Sequence, residues 1–571
     1  MNAIKLHHGI PWKHFKISIY GICACIMILI ATLLRFLLIS QGWPQTDSDE
    51  STMGLMALHI AYRGEHPVFF YGQSYMGSLE AYIAAPLFHL FGPSTFSLRL
   101  GLVFIFALFL ISMYLLASLL YTKKLALATL ILLCLGSDVI LKQEVYAIGG
   151  YSETLLFGTV TFLLASWIAL SSKQELSKHS PQWRLVAYGC WGLAVGLGIW
   201  SDLLILPFVL TAGLLLVVFC WHEWRTWAPL CILLGFVIGA FPLILYNFTA
   251  PPGQDTLSFV LKIQHEGADM LIHTHAPIIA QIKGAFLISL PTTTGITPPC
   301  NVTDVNLSGV LHYQTFLCSA RYIGWGLGFT ILCLLAVALA IMAIWRLWRQ
   351  SRLHDWTHED RQRLIQQCAR LMLLGSAAIT MLLFVLSPAS AVFSITSARY
   401  LFGLLIATPA VISPLWDAGS SVKRSSPGLT KGIPVLKGVL LLLIGIVFLV
   451  GTVRAFSLIP AAQAVNHQQE VLIDDLLHHG IRRMYSDYWT CDRVIFQSRE
   501  QIICSVIDFQ LHMSYNRYTP YGAIVKAYPS AAYVLRVGSS EAKTFAQEVA
   551  TMPDQHYQHL TLDGYEIYQP T

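Results

Sequence analysis

The sequence predicts an α-helical membrane protein that crosses the bilayer about eleven times and carries a small α/β domain at its C-terminal end. Charged residues make up only 12% of the 571 residues, where a soluble domain carries about 25%, and 55% are hydrophobic. Long apolar runs recur through residues 1–458, whereas residues 459–571 lack them. The composition excludes a soluble globular protein, a disordered chain and a nucleic-acid-binding protein.

The predicted spans are apolar runs of about 20 residues, the length that crosses about 30 Å of hydrocarbon. The first run is longer than the core of a signal sequence and no small-residue cleavage site follows it, so we expect a retained anchor. The fifth and sixth runs are divided only by Trp200-Ser201-Asp202 and can instead form one kinked span. The runs are 17–39, 97–121, 125–141, 153–171, 185–200, 203–221, 227–248, 322–344, 371–387, 399–416 and 438–458.

The distribution of basic residues predicts the orientation. Nineteen Lys and Arg lie in the segments on the N-terminal side of the membrane, and nine lie in the opposite segments before residue 459. Cytoplasmic loops carry the excess of Lys and Arg. We therefore expect a multi-pass protein of the cell membrane with a cytoplasmic N-terminus. With eleven crossings, residues 459–571 and the long loop 249–321 lie outside.

Residues 459–571 change in character and predict a separate extracytoplasmic domain. A helix is predicted at Val471–His479, and strands are predicted at Arg482–Asp487, Ile502–Ile507 and Ala532–Val537. Four of the twelve cysteines fall outside the membrane. Two local disulfides, Cys300 with Cys318 and Cys491 with Cys504, are permitted in an oxidising compartment, and free buried thiols are the alternative.

The first outer loop is the most acidic short stretch of the membrane part. Its sequence T-D-S-D-E-S contains Asp47, Asp49 and Glu50 and follows the first span by a few residues. Apolar residues at helical spacing follow, which predicts a helix lying in the membrane interface with the carboxylates in its first turn. A carboxylate anchored there is suited to act as a general base or metal ligand. The alternative is helix capping by Asp47 or Asp49.

The next stretch, residues 66–100, combines aromatic residues, turn glycines and two charges, Glu80 and Arg99. Tyr71 and Tyr75 are typical of the aromatic belt at a membrane interface. Tyrosine faces also stack on sugars, so these side chains are candidate substrate contacts.

Here the sequence resembles the polytopic GT-C glycosyltransferases, and more narrowly their bacterial protein-mannosyltransferase-like, dolichyl-phosphate-mannose-type branch. The resemblance covers roughly residues 17–416. The tail, with D-Y-W at 487–489, resembles the outer domain of uncharacterised bacterial members. The motifs are the first-loop acidic pair, then YGQ-x-Y-x-G-x-LEAY-x-x-x-P-x-F-x-x-FG-x-S-x-x-x-LRL, G-G-Y-S-E at 149–153, G-x-x-x-x-S-D-x-L-x-L-P at 196–207 and S-A-R-Y at 397–400.

The resemblance implies a transmembrane glycosyltransferase domain over residues 1–458. Such an enzyme moves a sugar from a polyprenyl-phosphate-linked donor to a lipid, glycan or protein acceptor on the extracytoplasmic face of a bacterial membrane. Asp49 best matches the family's catalytic aspartate, Glu50 lies beside it, and Asp47 is the rival. The W-W-D-Y-G signature of oligosaccharyltransferases is missing, which argues against transfer of a block oligosaccharide.

The donor phosphate requires cations on the outer side. Arg399, followed by Tyr400, is the first choice, and Arg99 and Lys142 come next, because Arg pairs with phosphate through a planar fork. Snorkelling to a lipid headgroup is the alternative for each. No cofactor is predicted with certainty, and a divalent cation remains open. The candidate acceptor or metal contacts, for which structural pairing is the alternative, are Glu80, Glu153 and Asp202.

Two other classes of protein compete with the enzyme. A transporter or lipid flippase would show inverted repeats and charge-bearing broken helices at membrane depth. No convincing repeat is present, and the acidic residues gather at one face. A sensory or structural membrane protein would leave the first-loop acids dispensable.

Overall fold

The computed structural model describes residues 18–172, 181–262, 276–296, 302–303, 312–313, 316–352, 357–416, 432–551 and 556–571. Within them the chain is mostly helical. The helices before residue 459 are α1 (Ile19–Ser40), α2 (Ser48–Arg63), α3 (Leu79–Phe91), α4 (Thr95–Leu120), α5 (Lys123–Cys134), α6 (Asp138–Val145), α7 (Tyr151–Ser171), α8 (Pro181–Ser201), α9 (Leu206–Phe219), α10 (Ala228–Gly239), α11 (Phe241–Thr249), α12 (Ile278–Gly284), α13 (Leu290–Thr294), α14 (Phe316–Ser351), α15 (His358–Val385), α16 (Ala389–Val392), α17 (Thr408–Trp416) and α18 (Gly432–Ser457).

Among the described residues, seven helices are long and apolar enough to cross a membrane, or up to nine if each of two bent pairs is one span. This supports a multi-pass membrane protein and does not confirm the predicted count of about eleven. The predicted span 125–141 is the pair α5 and α6, bent by 88°, and 227–248 is the pair α10 and α11, bent by 70°. Apolar composition alone does not reveal such bends.

Local sequence explains both breaks. At the first, the Ser137 hydroxyl accepts a hydrogen bond from Ile140 N (3.2 Å) and caps a new helix. At the second, Pro242 lies in the first turn of α11, where its missing N–H favours a helix start. At Trp200-Ser201-Asp202, where two spans or one kinked span were expected, α8 ends at Ser201 and Asp202 is extended. A 3-10 helix at Leu203–Ile205 then leads into α9 at Leu206.

The predicted interface helix is α2, and it is enclosed by protein. Nearly all its residues from Ser48 to His59 are buried, including Met53 and Met56 on its apolar side. Its other side is covered by the C-terminal domain, where Phe496 packs against Gly54. We predicted a helix lying in the membrane interface, and the difference arises because a second domain docks on one side of it.

The C-terminal domain begins as a continuation of the last span. The helix α19 (Ile459–His478) follows α18 after Leu458, and the further helices are α20 (Tyr488–Gln497), α21 (Pro520–Lys526) and α22 (Ser540–Thr551). The strands of the chain are β1 (Val302–Thr303), β2 (His312–Tyr313), β3 (Arg483–Ser486), β4 (Ile503–Val506), β5 (Ala532–Arg536), β6 (Tyr557–Leu562) and β7 (Tyr565–Pro570).

Five strands form one sheet in the order β4-β3-β5-β7-β6, and β1 pairs with β2 in the long loop. β3 runs parallel to both β4 and β5, and β7 and β6 are antiparallel additions. The three predicted strands are therefore present within one or two residues of their expected bounds. A disulfide joins Cys491 on α20 to Cys504 on β4, which confirms one of the two alternatives for that pair. Cys300 lies outside the described residues.

Candidate active site

Segments far apart in the sequence meet around one cavity of about 480 Å³ beside the start of α2. Each of the five motifs recognised in the membrane part contributes at least one lining residue. The polar and aromatic side chains of the lining include Asp49, Tyr75, Tyr151, Asp202, Arg399 and Tyr400. The cavity therefore brings together Asp49, Tyr75, Asp202, Arg399 and Tyr400 of the predicted site residues.

Hydrogen bonds to backbone carbonyl groups and one close glycine contact hold neighbouring motifs together. Two hydrogen bonds join the loop before α3 to the end of α8. Trp200 Nε1 donates to Val68 O (2.9 Å), and Gly77 N donates to Ser201 O (3.0 Å). Gly150 has a φ of +76°, and a Cβ there would lie 2.7 Å from Asp202 Oδ2. The second glycine of G-G-Y-S-E thus lets the start of α7 approach Asp202, whose Oδ1 accepts from Leu204 N (2.9 Å).

Asp49 is held by the C-terminal domain through one carboxylate oxygen. Oδ1 accepts a hydrogen bond from the Tyr488 hydroxyl (2.5 Å) and another from Arg517 Nη2 (2.8 Å). No described residue hydrogen-bonds to Oδ2 of Asp49. The side chain is 20% exposed and lines the cavity, so one oxygen is fixed while the other remains available.

Arg399 lines the same cavity with spare hydrogen-bonding capacity. Its guanidinium carbon lies 5.9 Å from the ring centre of Tyr151 and 5.5 Å from that of Tyr400. Its Nε is buried and has no hydrogen-bond partner among the described residues. A buried guanidinium donor without a partner is costly, and an anion in the cavity would satisfy it.

Glu50 and Arg99 form a buried bidentate ion pair with each other. Arg99 Nε donates to Glu50 Oε1 (2.7 Å), and Arg99 Nη2 donates to Oε2 (2.5 Å). Both side chains are at most 1% exposed, and neither lines the cavity. Asp47 caps α2 by accepting a hydrogen bond from Glu50 N (3.0 Å). The Nζ of Lys142 lies 4.4 Å from the ring centre of Tyr146. Neither Asp47 nor Lys142 lines the cavity.

Glu80 and Glu153 are buried carboxyl groups that interact with each other and do not line the cavity. Glu80 Oε2 also accepts from Gly149 N (3.1 Å), whereas Glu153 Oε2 is buried without a partner among the described residues. The described residues contain no group of three or more His, Cys, Asp and Glu side chains that could hold a metal ion. The structure thus offers no support for the metal role considered for these carboxylates.

Tyr71 lies in a polar cluster beneath the C-terminal domain and outside the cavity lining. Its hydroxyl lies 2.8 Å from His59 Nδ1 and donates to Glu65 Oε2 (3.0 Å). On the far side of His59, Nε2 lies 3.2 Å from Glu500 Oε1. Burial opposes ionisation of Glu500, but hydrogen bonds from His59 and Tyr521 outweigh it and lower the pKa of Glu500.

A second buried carboxyl lies in the same domain contact. Asp492, on α20, is 4% exposed, and its Oδ2 accepts from the Thr52 hydroxyl (3.0 Å). Burial raises the pKa of Asp492 to about 7, although the hydrogen bond from Thr52 opposes the rise.

The sequence analysis missed Arg517 and Tyr488 as site residues. It counted candidate cations only before residue 459, because hydropathy gives no sign that the tail returns to the first loop. Two signals were available in the tail: D-Y-W at 487–489 and the aromatic run Y-N-R-Y-T-P-Y-G at 515–522, each directly after or near a strand.

Comparisons with known proteins find similarity in structure alone. No protein-family model and no curated protein matches the sequence. Among solved structures, ArnT from Cupriavidus metallidurans bound to undecaprenyl phosphate aligns with a TM-score of 0.52 at 12% identity, over 97% of this chain and 98% of ArnT. The apo state of ArnT gives a TM-score of 0.50 with the same identity and coverage. The oligosaccharyltransferase AglB from Archaeoglobus fulgidus gives 0.44 at 12% identity, over 96% and 74% of the two chains.

The likeness to ArnT extends over nearly the whole length of both chains, the C-terminal domain included. At 12% identity it speaks for the fold alone. It does not confirm the mannosyltransferase-like branch, which stays a prediction. The chain therefore has the fold of ArnT, which supports the GT-C fold that the resemblance of its motifs implied.

Proposed function

We propose that this protein is a membrane glycosyltransferase that moves a sugar from a polyprenyl-phosphate donor to an acceptor hydroxyl on the extracytoplasmic face. The observation that carries the proposal is a cavity whose lining combines charged and apolar side chains. Asp49 and Arg399 are among the charged ones, and Leu203, Leu206 and Leu383 contribute to an apolar wall. A phosphate joined to a long prenyl chain has the same two-part chemistry.

Arg399 and Tyr400 are proposed to hold the donor phosphate. The Arg399 Nε lacks a partner among the described residues, and a guanidinium forms strong charge-assisted hydrogen bonds with phosphate oxygens. The apolar wall then receives the prenyl chain. ArnT, which shares the fold, was solved with undecaprenyl phosphate bound. That finding supports a polyprenyl phosphate as the ligand class for this chain.

Asp49 is proposed as the general base. Its Oδ2 takes the proton of the acceptor hydroxyl while the hydroxyl oxygen attacks the anomeric carbon. The bond from that carbon to the phosphate oxygen breaks, and the lipid phosphate leaves with both bonding electrons. Arg399 stabilises the charge that develops on the leaving phosphate. Attack opposite the leaving group inverts the anomeric configuration.

The other predicted residues take supporting places in this proposal. Tyr75 and Asp202 line the cavity and are candidates for contact with the sugar or acceptor. The ion pair between Glu50 and Arg99 and the helix cap formed by Asp47 hold the first turn of α2 in place. Asp49 lies in that turn and is therefore held in position. The Cys491–Cys504 disulfide supports an extracytoplasmic tail, because disulfides persist in oxidising compartments.

A transporter or flippase is the second candidate, because broken helices and buried charges mark transporter sites. At the break between α5 and α6, Arg35 pairs with Glu144 (2.7 Å), and both are at most 1% exposed. Arg35 also donates to the carbonyls of Leu133 (3.1 Å) and Cys134. These bonds satisfy the end of α5 internally, which favours a structural role for the pair.

The test uses the purified protein in nanodiscs with a panel of undecaprenyl-phosphate monosaccharides and native envelope lipids as acceptor. Release of undecaprenyl phosphate is followed by mass spectrometry. We expect Asp49→Asn to lower turnover by about 100-fold or more, the range for loss of a general base. Asp47→Asn is expected to keep most of its turnover, because an Asn side-chain oxygen caps a helix about as well as an Asp carboxylate. If both variants transfer sugar as the wild type does, the proposal is wrong.

A further inference from the structure

We infer that the C-terminal domain completes the catalytic site through Arg517, which acts as a positioning residue for Asp49. The inference rests on the proposed function and adds a requirement that the membrane part alone does not meet. Arg517 lies 468 residues from Asp49 in the sequence, yet the two side chains form an ion pair.

The topology of the sheet brings the tail residues to this point. β3 and β4 are parallel, so their carboxyl ends lie at one edge, where α/β proteins commonly place functional residues. Directly after β3, Asp487 caps α20 by accepting from Trp489 N (2.8 Å), which sets Tyr488 in the first turn. After β4 the chain folds back, because Ser514 N donates to Val506 O (2.8 Å), and Arg517 follows.

Asp49, Tyr488 and Arg517 form a triangle of hydrogen bonds that involves one oxygen of Asp49. Arg517 Nη2 and the Tyr488 hydroxyl both donate to Oδ1, and Arg517 Nε donates to the Tyr488 oxygen (2.7 Å). Neither donor reaches Oδ2. The triangle therefore fixes the direction of the carboxylate and leaves the second oxygen for the acceptor proton.

Aromatic side chains surround the guanidinium of Arg517. Its side chain is 10% exposed, and its guanidinium carbon lies 4.8 Å from the ring centre of Phe70 and 5.6 Å from that of Tyr515. Tyr515 is anchored in turn, because its hydroxyl donates to Gly72 O (2.6 Å). The aromatic neighbours come from both the first outer loop and the tail, so the position of Arg517 depends on the docking of the domain.

The docking is specific at the helix that carries Asp49. The Ser48 hydroxyl donates to Tyr488 O (2.5 Å), one residue before Asp49 in the chain. Further along α2, Thr52 bonds to Asp492 on α20. These bonds fix the register between α2 and α20, and with it the distance from Arg517 to Asp49. A misplaced catalytic group costs turnover far more than it costs substrate binding.

The test compares Arg517→Gln with Arg536→Gln in the same nanodisc assay. Arg536 is a matched control, because it forms an Arg–Asp contact in the same domain (3.5 Å to Asp487) without lining the cavity. We expect Arg517→Gln to lower kcat by about 10- to 100-fold, with little change in KM for the donor or in the Kd of undecaprenyl phosphate. Arg536→Gln should keep wild-type kcat. Tyr488→Phe should also lower kcat, and this variant provides the test if Arg517→Gln does not fold.

A double-variant measurement separates positioning from other roles. In the Asp49→Asn background, Arg517→Gln should cause no further loss, because the residue acts through Asp49. The proposed donor contact makes Arg399→Gln the reference, because this variant is expected to weaken undecaprenyl-phosphate binding. An equal loss of binding in Arg517→Gln, or an additive loss of kcat, would overturn the inference in favour of a donor contact. Full kcat in Arg517→Gln beside an inactive Asp49→Asn would overturn the inference alone. Full activity of Asp49→Asn would overturn the proposed function with it.

Discussion

Arg99 and Arg399 are both candidate contacts for the donor phosphate, yet the structure gives them opposite surroundings. Arg99 has a bidentate carboxylate partner and lies outside the cavity lining. Arg399 lines the cavity and keeps a buried nitrogen without a partner among the described residues. A paired guanidinium contributes to the fold, whereas an unpaired one is ready for an anion. This difference favours Arg399 as the donor contact.

Removing one member of the Glu50–Arg99 ion pair should lower the stability of the folded protein. Arg99→Gln leaves a carboxylate with 0% exposure without its counter-charge, which costs about 3–5 kcal/mol for a buried pair. The thermal unfolding midpoint in detergent should fall, and the double variant Glu50→Leu/Arg99→Met should recover part of it. A normal midpoint together with weakened undecaprenyl-phosphate binding would instead assign Arg99 to the donor site.

Asp492 gives a prediction about pH. Its pKa is about 7 in the folded protein and 3.8 in the unfolded chain. Between these values the folded state binds more protons, so the free energy of unfolding falls as pH rises, by at most about 1.4 kcal/mol per unit. Asp492→Asn should therefore match the wild type near pH 4 and exceed its stability increasingly up to pH 7. The exposed Asp474→Asn is the control, and the same pH trend in both variants would contradict the assignment.

At the scale of elements, the contact between α2 and α20 determines where Asp49 lies. Gly54 is essential to it, since a Cβ there would approach the Phe496 ring to 2.5 Å. The first-loop helix could be predicted from its acidic first turn and apolar spacing. Its enclosure could not, because the covering surface comes from residues more than 400 positions away.

Gly54→Ala should push the two helices apart and destabilise the protein by about 1–3 kcal/mol, the cost of overpacking. Gly324→Ala on α14 is the matched control, because no atom lies within 4 Å of the added Cβ. Differential scanning fluorimetry should show a lower midpoint for Gly54→Ala alone, and Phe496→Leu should restore it. Equal midpoints for the two glycine variants would show that the contact yields without cost.

For the whole molecule, sequence patterns predicted the helices and strands better than the breaks within helices and the contact between the two domains. The tail strands were predictable because apolar and β-branched residues fill short runs between turn residues, as at Ile503–Val506. The helix breaks at Ser137 and Pro242 were not predicted, because a hydropathy window averages across a turn. Five of the predicted site residues meet in the cavity, since family motifs mark local segments. Arg517 was not predicted as a site residue, because its place beside Asp49 depends on how two domains dock.

The measurement that tests the account most directly is an electron cryomicroscopy structure of the protein in nanodiscs loaded with undecaprenyl phosphate. The account predicts phosphate density within hydrogen-bond distance of Arg399 and beside Asp49. It also predicts prenyl density along Leu203, Leu206 and Leu383. Density for the lipid phosphate anywhere else, with Arg399 still unpaired, would contradict the proposed donor site and with it the glycosyltransferase assignment.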